Sequence, residues 1–187
     1  MDTEKTRYLI AELALNNSQS ALKQFYDIYS RRIYRYVLLL VKDYNDADEI
    51  VSDVFFTVWK NRKKLLEVDN ILLYLFKISK FKSIDRLRVK KIPLRTYGSI
   101  DVDLFANVTT SPEDKCISTE TIHEIDMAIE QLPPKCKLAF KLVREDKMSH
   151  KEAAELLDIS IKTLQNHLCL AMQKIKSVLM AKGISCN

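Results

Sequence analysis

The placement of helix breakers constrains this chain more than any other feature. Its two glycines and four prolines are Gly98, Gly183, Pro93, Pro112, Pro133 and Pro134, so residues 1–92 contain neither. That stretch is rich in Leu, Lys, Arg, Ala and Glu, residues that suit a helix interior. It predicts an all-helical N-terminal half. At 187 residues, 47% of them hydrophobic, the chain is globular and long enough for one domain or two small ones.

Apolar periodicity divides that half into helices. Leu22, Phe25, Tyr26, Tyr29, Ile33, Tyr36, Val37 and Leu40 form one stripe. After a break at Asp43-Tyr44-Asn45, a second carries Ala47, Ile50, Val51, Val54, Phe55, Val58 and Trp59. A third helix, over about 71–90, carries Leu72, Leu75, Phe76, Ile78, Ile84 and Leu87. Core packing explains all three stripes without a ligand. Between 92 and 110, IPLRTYGSIDVDLFANVTT loses the period and reads as a flexible linker, longer than most connections inside a compact domain. Order resumes at Ser111-Pro112-Glu113-Asp114, a cap followed by Pro and two acids at a helix start. A helix then runs to about Gln131, Leu132-Pro133-Pro134 breaks it, and another follows to about Glu145. The fold class is all-α: two small helical domains, 1–91 and 111–187, joined by the linker 92–110.

The run from Ser149 to Val178 spells a helix-turn-helix. Ser149 and Glu152 have the spacing of a reciprocal capping box, and Ala153, Ala154 and Leu157 form a buried stripe. Asp158 tolerates a left-handed turn and Ser160 caps the next helix. There Ile161, Leu164, Leu168, Ala171 or Met172, Ile175 and Val178 make the inner face. The outer side is left as Lys162, Gln165, Asn166, Cys169 and Gln173. Gln and Asn can bond adenine edges in the major groove, and Lys162 can hold a phosphate or a guanine. An ordinary helical hairpin with a solvated polar face is the alternative.

Several function classes are excluded. No stretch approaches a membrane span and the N-terminus lacks a secretory signal, so the chain is expected to be cytoplasmic, with no membrane insertion. Cys116, Cys136, Cys169 and Cys186 show no CxxC spacing and only three histidines accompany them, so no metal site and no cofactor is expected. No catalytic constellation or Gly-rich phosphate loop exists, and the chain reads as a non-enzyme. Charge is more informative. Residues 1–92 hold 18 Lys and Arg against 12 Asp and Glu, an excess of six, and the rest of the chain, with 12 against 13, brings the net charge to +5. Asp43, Asp46, Asp48, Glu49 and Asp53 have no basic residue among them, and Lys77, Lys80, Lys82, Arg86, Arg88, Lys90 and Lys91 are opposed only by Asp85. The acids either complement a helix start or form a docking surface for a basic protein. The cations beside Tyr74, Phe76 and Phe81 are either a solvated face or a single-strand binding surface built from phosphate contacts and stacking.

With both surfaces in view, the chain resembles the extracytoplasmic-function (ECF) sigma factors of the sigma-70 family, initiation subunits of bacterial RNA polymerase. The likeness rests on DYNDADEIVSDVFFTVWKNR and NILLYLFKISKFKSIDRLRVKK in sigma region 2, and on SPED, LPPKCKLAF and SHKEAAELLDISIKTLQNHL in sigma region 4. It implies that Asp48, Glu49, Ser52 and Asp53 dock on the β′ clamp helices of core polymerase, with the β flap a second contact. It assigns Lys77, Lys80, Phe81, Lys82, Arg86 and Arg88 to the minus-ten element, where a flipped base enters a pocket of the preceding loop. Lys162, Thr163, Gln165, Asn166, His167 and Cys169 would then read the minus-thirty-five element. Promoter selection and help in opening the duplex follow, with promoter DNA and an anti-sigma protein as further partners. Ser52 departs from a usual Gln, Lys80-Phe81 from Arg-Asn, Asp158 from Gly and Leu170 from Arg. Phe81 is a stacking residue or core. A stand-alone helix-turn-helix regulator and a degenerate sigma-like factor are the competing classes.

Overall fold

In the computed structural model, residues 3–90 and 119–181 are described, with side chains given from 4 and from 125. Every regular element among them is helical. The chain divides into two compact units, Met1–Leu94 and Arg95–Asn187. The linker expected at 92–110 and the helix start expected at Ser111-Pro112 lie outside the described residues.

Unit 1 holds α1 (Thr3–Asn16), α2 (Gln19–Val41), α3 (Tyr44–Lys60), a 3-10 segment (Arg62–Glu67) and α4 (Ile71–Val89). Each helix after the first begins with a polar cap: Ser18 Oγ accepts from the Ala21 amide, Asp43 Oδ1 from Asp46 and Asn70 Oδ1 from Leu73. Without glycine, the turns after α1 and α2 place Asn17 (φ 51°) and Lys42 (φ 58°) in the left-handed region. Asn tolerates that geometry locally, and Lys42 adopts it at a steric cost that the packed helices on either side offset.

The long α2 is the hub, packed against α1, α3 and α4. Phe25 lies 4.7 Å from Tyr29 and 6.3 Å from Phe55, and Tyr36 meets Phe76 edge-on at 4.7 Å. Two of the sequence-derived stripes shift. Tyr26 is exposed, its ring leaning on Phe55 rather than entering the core. On α4 the buried face is Ile71, Leu75, Phe76, Ser79, Lys80 and Ser83, while Leu72, Ile78, Ile84 and Leu87 are half-buried. Small hydroxyl residues can face the core because each bonds back to its own helix: Ser79 Oγ to Leu75 O and Ser83 Oγ to Ser79 O.

Unit 2 holds α5 (Thr119–Glu130), α6 (Pro134–Phe140), a π-helical turn (Lys141–Glu145), α7 (His150–Leu157) and α8 (Ile161–Ala181). Pro133-Pro134 ends one helix and opens the next, as the sequence predicts. Ala128, Ile129, Leu132, Cys136, Ala171, Ile175 and Leu179 form a core shared by α5, α6 and α8. The α5–α6 corner is fastened by Lys137, whose ammonium reaches Glu130 O (2.6 Å) and Glu130 Oε2 (2.9 Å), with Lys141 on Oε1 (3.2 Å).

Candidate nucleic-acid and polymerase surfaces

The helix-turn-helix forms by the local chemistry its sequence carries. The Glu152 amide donates to Ser149 Oγ (3.2 Å) while the Ser149 amide donates to Glu152 Oε2 (2.8 Å), the two halves of a capping box. Asp158 turns left-handed at φ 54° and ends α7. Ser160 Oγ then accepts from the Thr163 amide at 3.0 Å and starts α8. Leu164 and Ala171 are fully buried and fix which side of α8 faces inward, so Ala171 rather than Met172 is the core residue. Leu168 and Val178 are half-buried on the same side. Ile161 is the exception: it is 47% exposed at the first position of α8.

Lys162, Gln165, Asn166 and Cys169 are exposed together at helical spacing on the outer side of α8. Thr163 and His167 are not equivalent to them. Thr163 is half-buried and its hydroxyl pairs with Ser160 Oγ at 2.9 Å. His167 is half-buried, with Nδ1 3.7 Å from Cys136 Sγ. Burial, with Lys135 nearby, lowers its pKa, which disfavours a cation at this position. The same burial pushes the Cys136 thiol up. Leu170 is exposed beside this polar row.

In unit 1 the acids and cations that the sequence separates come together. Because α3 and α4 pack against each other, successive turns of one meet successive turns of the other in reverse order. Lys90 Nζ pairs with Asp46, Arg86 Nη1 lies 3.2 Å from Asp46 Oδ1, Arg86 Nη2 donates to Glu49, and Lys82 Nζ lies 3.4 Å from Asp53 Oδ2. The acidic stretch is free of cations in sequence and not in space. The hydrogen bond that Arg86 donates to Glu49, reinforced by the charges of Asp46 and Asp53, raises the Arg86 pKa, and the bond to Asp46 does the same for Lys90. Asp46 is 5% exposed and joins both cations, a bridging role that sequence reasoning missed. The signal was present in the spacing: 46, 49 and 53 make one helix face, as do 82, 86 and 90.

The other expected site residues scatter around this network. Asp48 and Ser52 are exposed on α3, Ser52 Oγ bonding Asp48 O at 2.9 Å. Phe56, one turn past Ser52, is an exposed aromatic to which the sequence assigned no role. On α4, Lys77 is half-buried and Arg88 is exposed, 3.4 Å from Asp85. Lys80 is only 7% exposed and has little surface for a phosphate, whereas Phe81 is 66% exposed, which rules out a core position and leaves its ring available for stacking. The 3-10 segment before α4 is anchored by Arg62, which lies over the Trp59 ring (4.7 Å) and donates to Asn17 Oδ1 (2.6 Å) and Trp59 O (2.9 Å). Among the described residues, no three His, Cys, Asp or Glu are grouped to hold a metal ion, and no helix is long and apolar enough to cross a membrane.

Comparison with known proteins places both surfaces in one family. Residues 25–91 match the family model for sigma-70 region 2 and residues 122–175 that for sigma-70 region 4. The chain is similar to the ECF RNA polymerase sigma factor SigW of Bacillus subtilis, 24% identical over 157 residues, 80% of this chain and 84% of SigW. It is similar to SigM of the same organism at 22% identity, covering 84% of this chain and 94% of SigM. Among solved structures it shares the fold of the sigma factor RpoE from Bartonella quintana, crystallised with the anti-sigma factor NepR. That match has a TM-score of 0.59 at 17% identity and covers 84% of this chain and 96% of RpoE. With region 2 and region 4 both present in order and full-length relatives of one kind, this chain belongs to the ECF group of the sigma-70 family and directs RNA polymerase in transcription initiation.

Proposed function

We propose that the three surfaces divide the work of a sigma factor as follows. The exposed side of α3, with Asp48, Glu49, Ser52 and Asp53, docks on the β′ clamp helices of core polymerase, and Phe56 adds an apolar contact at its edge. The segment before α4 and α4 itself hold the non-template strand of the minus-ten element, with Phe81 as the stacking residue and Lys77, Lys82, Arg86 and Arg88 toward the phosphates. Lys80 supports the helix from within. On α8, Lys162, Gln165, Asn166 and Cys169 face the major groove of the minus-thirty-five element, and Thr163 and His167 shape the helix from its flank. In this reading region 2 occupies 1–91, a linker 92–110 and region 4 111–187. The protein works in the cytoplasm without cofactor or catalytic activity of its own and contacts the β flap. It is held in check by an anti-sigma protein, the kind of partner with which RpoE was crystallised.

The observation that carries this reading is the exposed polar row of α8 opposite a fully buried Leu164 and Ala171 in unit 2; unit 1 separately presents an acidic and aromatic face on α3. Reversal of two exposed acids tests the polymerase half. Glu49→Lys/Asp53→Lys is expected to keep its helical circular dichroism and lose co-elution with core polymerase. Co-elution at the wild-type level would refute the docking assignment.

A further inference from the structure

The proposed function leaves Leu170 without a role, although its position on α8 is a specific one. It is 55% exposed. It lies one turn after Asn166 and one turn before Lys174, with Cys169 adjacent and Gln173 beside it, and all four neighbours are exposed. Neither burial nor a shared apolar patch accounts for it. At about 100° per residue, the exposed Ile161 and Met172 project from roughly the opposite side of the helix, and Met180 lies about 15 Å further along. The helix as a whole suits an anion: Ile161–Ala181 holds Lys162, Lys174 and Lys176 and no Asp or Glu. A single leucine ringed by amides and a lysine, on an acid-free helix, fits a polyanion that carries a small apolar group among polar edges. A protein groove would call for a wider apolar patch.

We propose that Leu170 reads thymine: its side chain packs against the 5-methyl group of one thymine in the major groove of the upstream element, next to the base edges faced by Asn166. The inference rests on the assignment of α8 to that groove. The thymine methyl is the one methyl group that an unmodified base pair displays there, and an aliphatic side chain recognises it by contact alone. Leu170 has no hydrogen bond to give. Opposite any other base it would strip water from an amino group, a ring nitrogen or a carbonyl oxygen without pairing it. Selection therefore comes from two sides, a favourable contact with thymine and an unsatisfied polar edge on each competitor.

The test uses the full chain assembled with core polymerase and a pool of duplexes randomised over the upstream window, with the bound duplexes sequenced. The wild type should enrich thymine in one column, and Leu170→Ala, which removes an exposed side chain, should lose that preference in the same column alone. Leu170→Arg should exchange thymine for guanine there, because a guanidinium bonds O6 and N7. In the selected duplex, deoxyuridine in place of that thymidine removes the methyl and nothing else. It should weaken wild-type binding about fourfold, the effect of one buried methyl, and leave Leu170→Ala binding unchanged. Tolerance of uracil by the wild type, an unchanged column in Leu170→Ala, or loss of co-elution with core polymerase by that variant overturns the proposal, the last by placing Leu170 against protein. Enrichment in no column at all refutes the groove assignment of α8 and this inference with it, so failure of the thymine contact and failure of the assignment give different results.

Discussion

Lys137 is 2% exposed, and its charge is tolerable there because Glu130 receives it with both a carboxylate and a backbone oxygen. Burial raises the Glu130 pKa, but the Lys137 and Lys141 ammoniums outweigh it and leave the carboxyl below its ordinary value. A depressed folded-state pKa contributes stability that is complete above the unfolded-state value and is lost as pH falls through the folded one. Unit 2 is thus expected to lose stability on acidification below the ordinary glutamate range, and Glu130→Gln to flatten that part of the profile. At pH 7 the same variant should cost about 2 kcal/mol in denaturant unfolding followed through unit 2. An unchanged acid profile would mean the pair contributes nothing. Residues of this kind mark the limit of what a sequence discloses. Ser149, Glu152, Asp158 and Ser160 were legible because each acts on backbone within four residues. Lys80, Asp46 and His167 were not, because burial or a partner dozens of positions away decides what each can do.

At the scale of elements, α4 shows why a period can be right and a face wrong. The helix has the expected extent, yet Ser79 and Ser83 enter the core and several leucines and isoleucines stay at its margin. Hydropathy ranks serine as outward; a back-bonded hydroxyl removes that preference. The first helix went unassigned as a separate element, since the breaker-free stretch promised helix without saying where it would dock. In the structure α1 packs on α2 and on the 3-10 segment that precedes α4, with Leu9 and Leu13 buried. Leu13→Ala is therefore expected to destabilise unit 1 by about 3 kcal/mol in denaturant unfolding; a cost below about 1 kcal/mol would mean α1 is only appended. On α8 the expectation concerns specificity. Gln165→Ala/Asn166→Ala should weaken binding to the preferred upstream sequence by about tenfold while changing binding to unrelated duplexes little. An equal loss on every sequence would show that the two side chains are not readers.

For the whole molecule, the proposed function combines three modest contacts into one selective act. On that proposal a polymerase-facing α3, a strand-binding α4 and a groove-binding α8 each bring limited affinity, and a promoter is chosen only where polymerase and two DNA elements are engaged together. The family was legible in the sequence, because ordered motifs in two halves carry more information than either alone. Contact between the acidic and basic halves of unit 1 was not, since it depends on how α3 and α4 pack. Dependence on polymerase also separates this protein from a stand-alone regulator, which would bind duplex tightly by itself. The decisive experiment is transcription from fragmented DNA of the source organism by its own core polymerase, with and without the purified chain, mapping every start. New starts preceded by two shared elements at fixed spacing are expected. Stable binding to core polymerase with no new starts would contradict promoter selection by this chain.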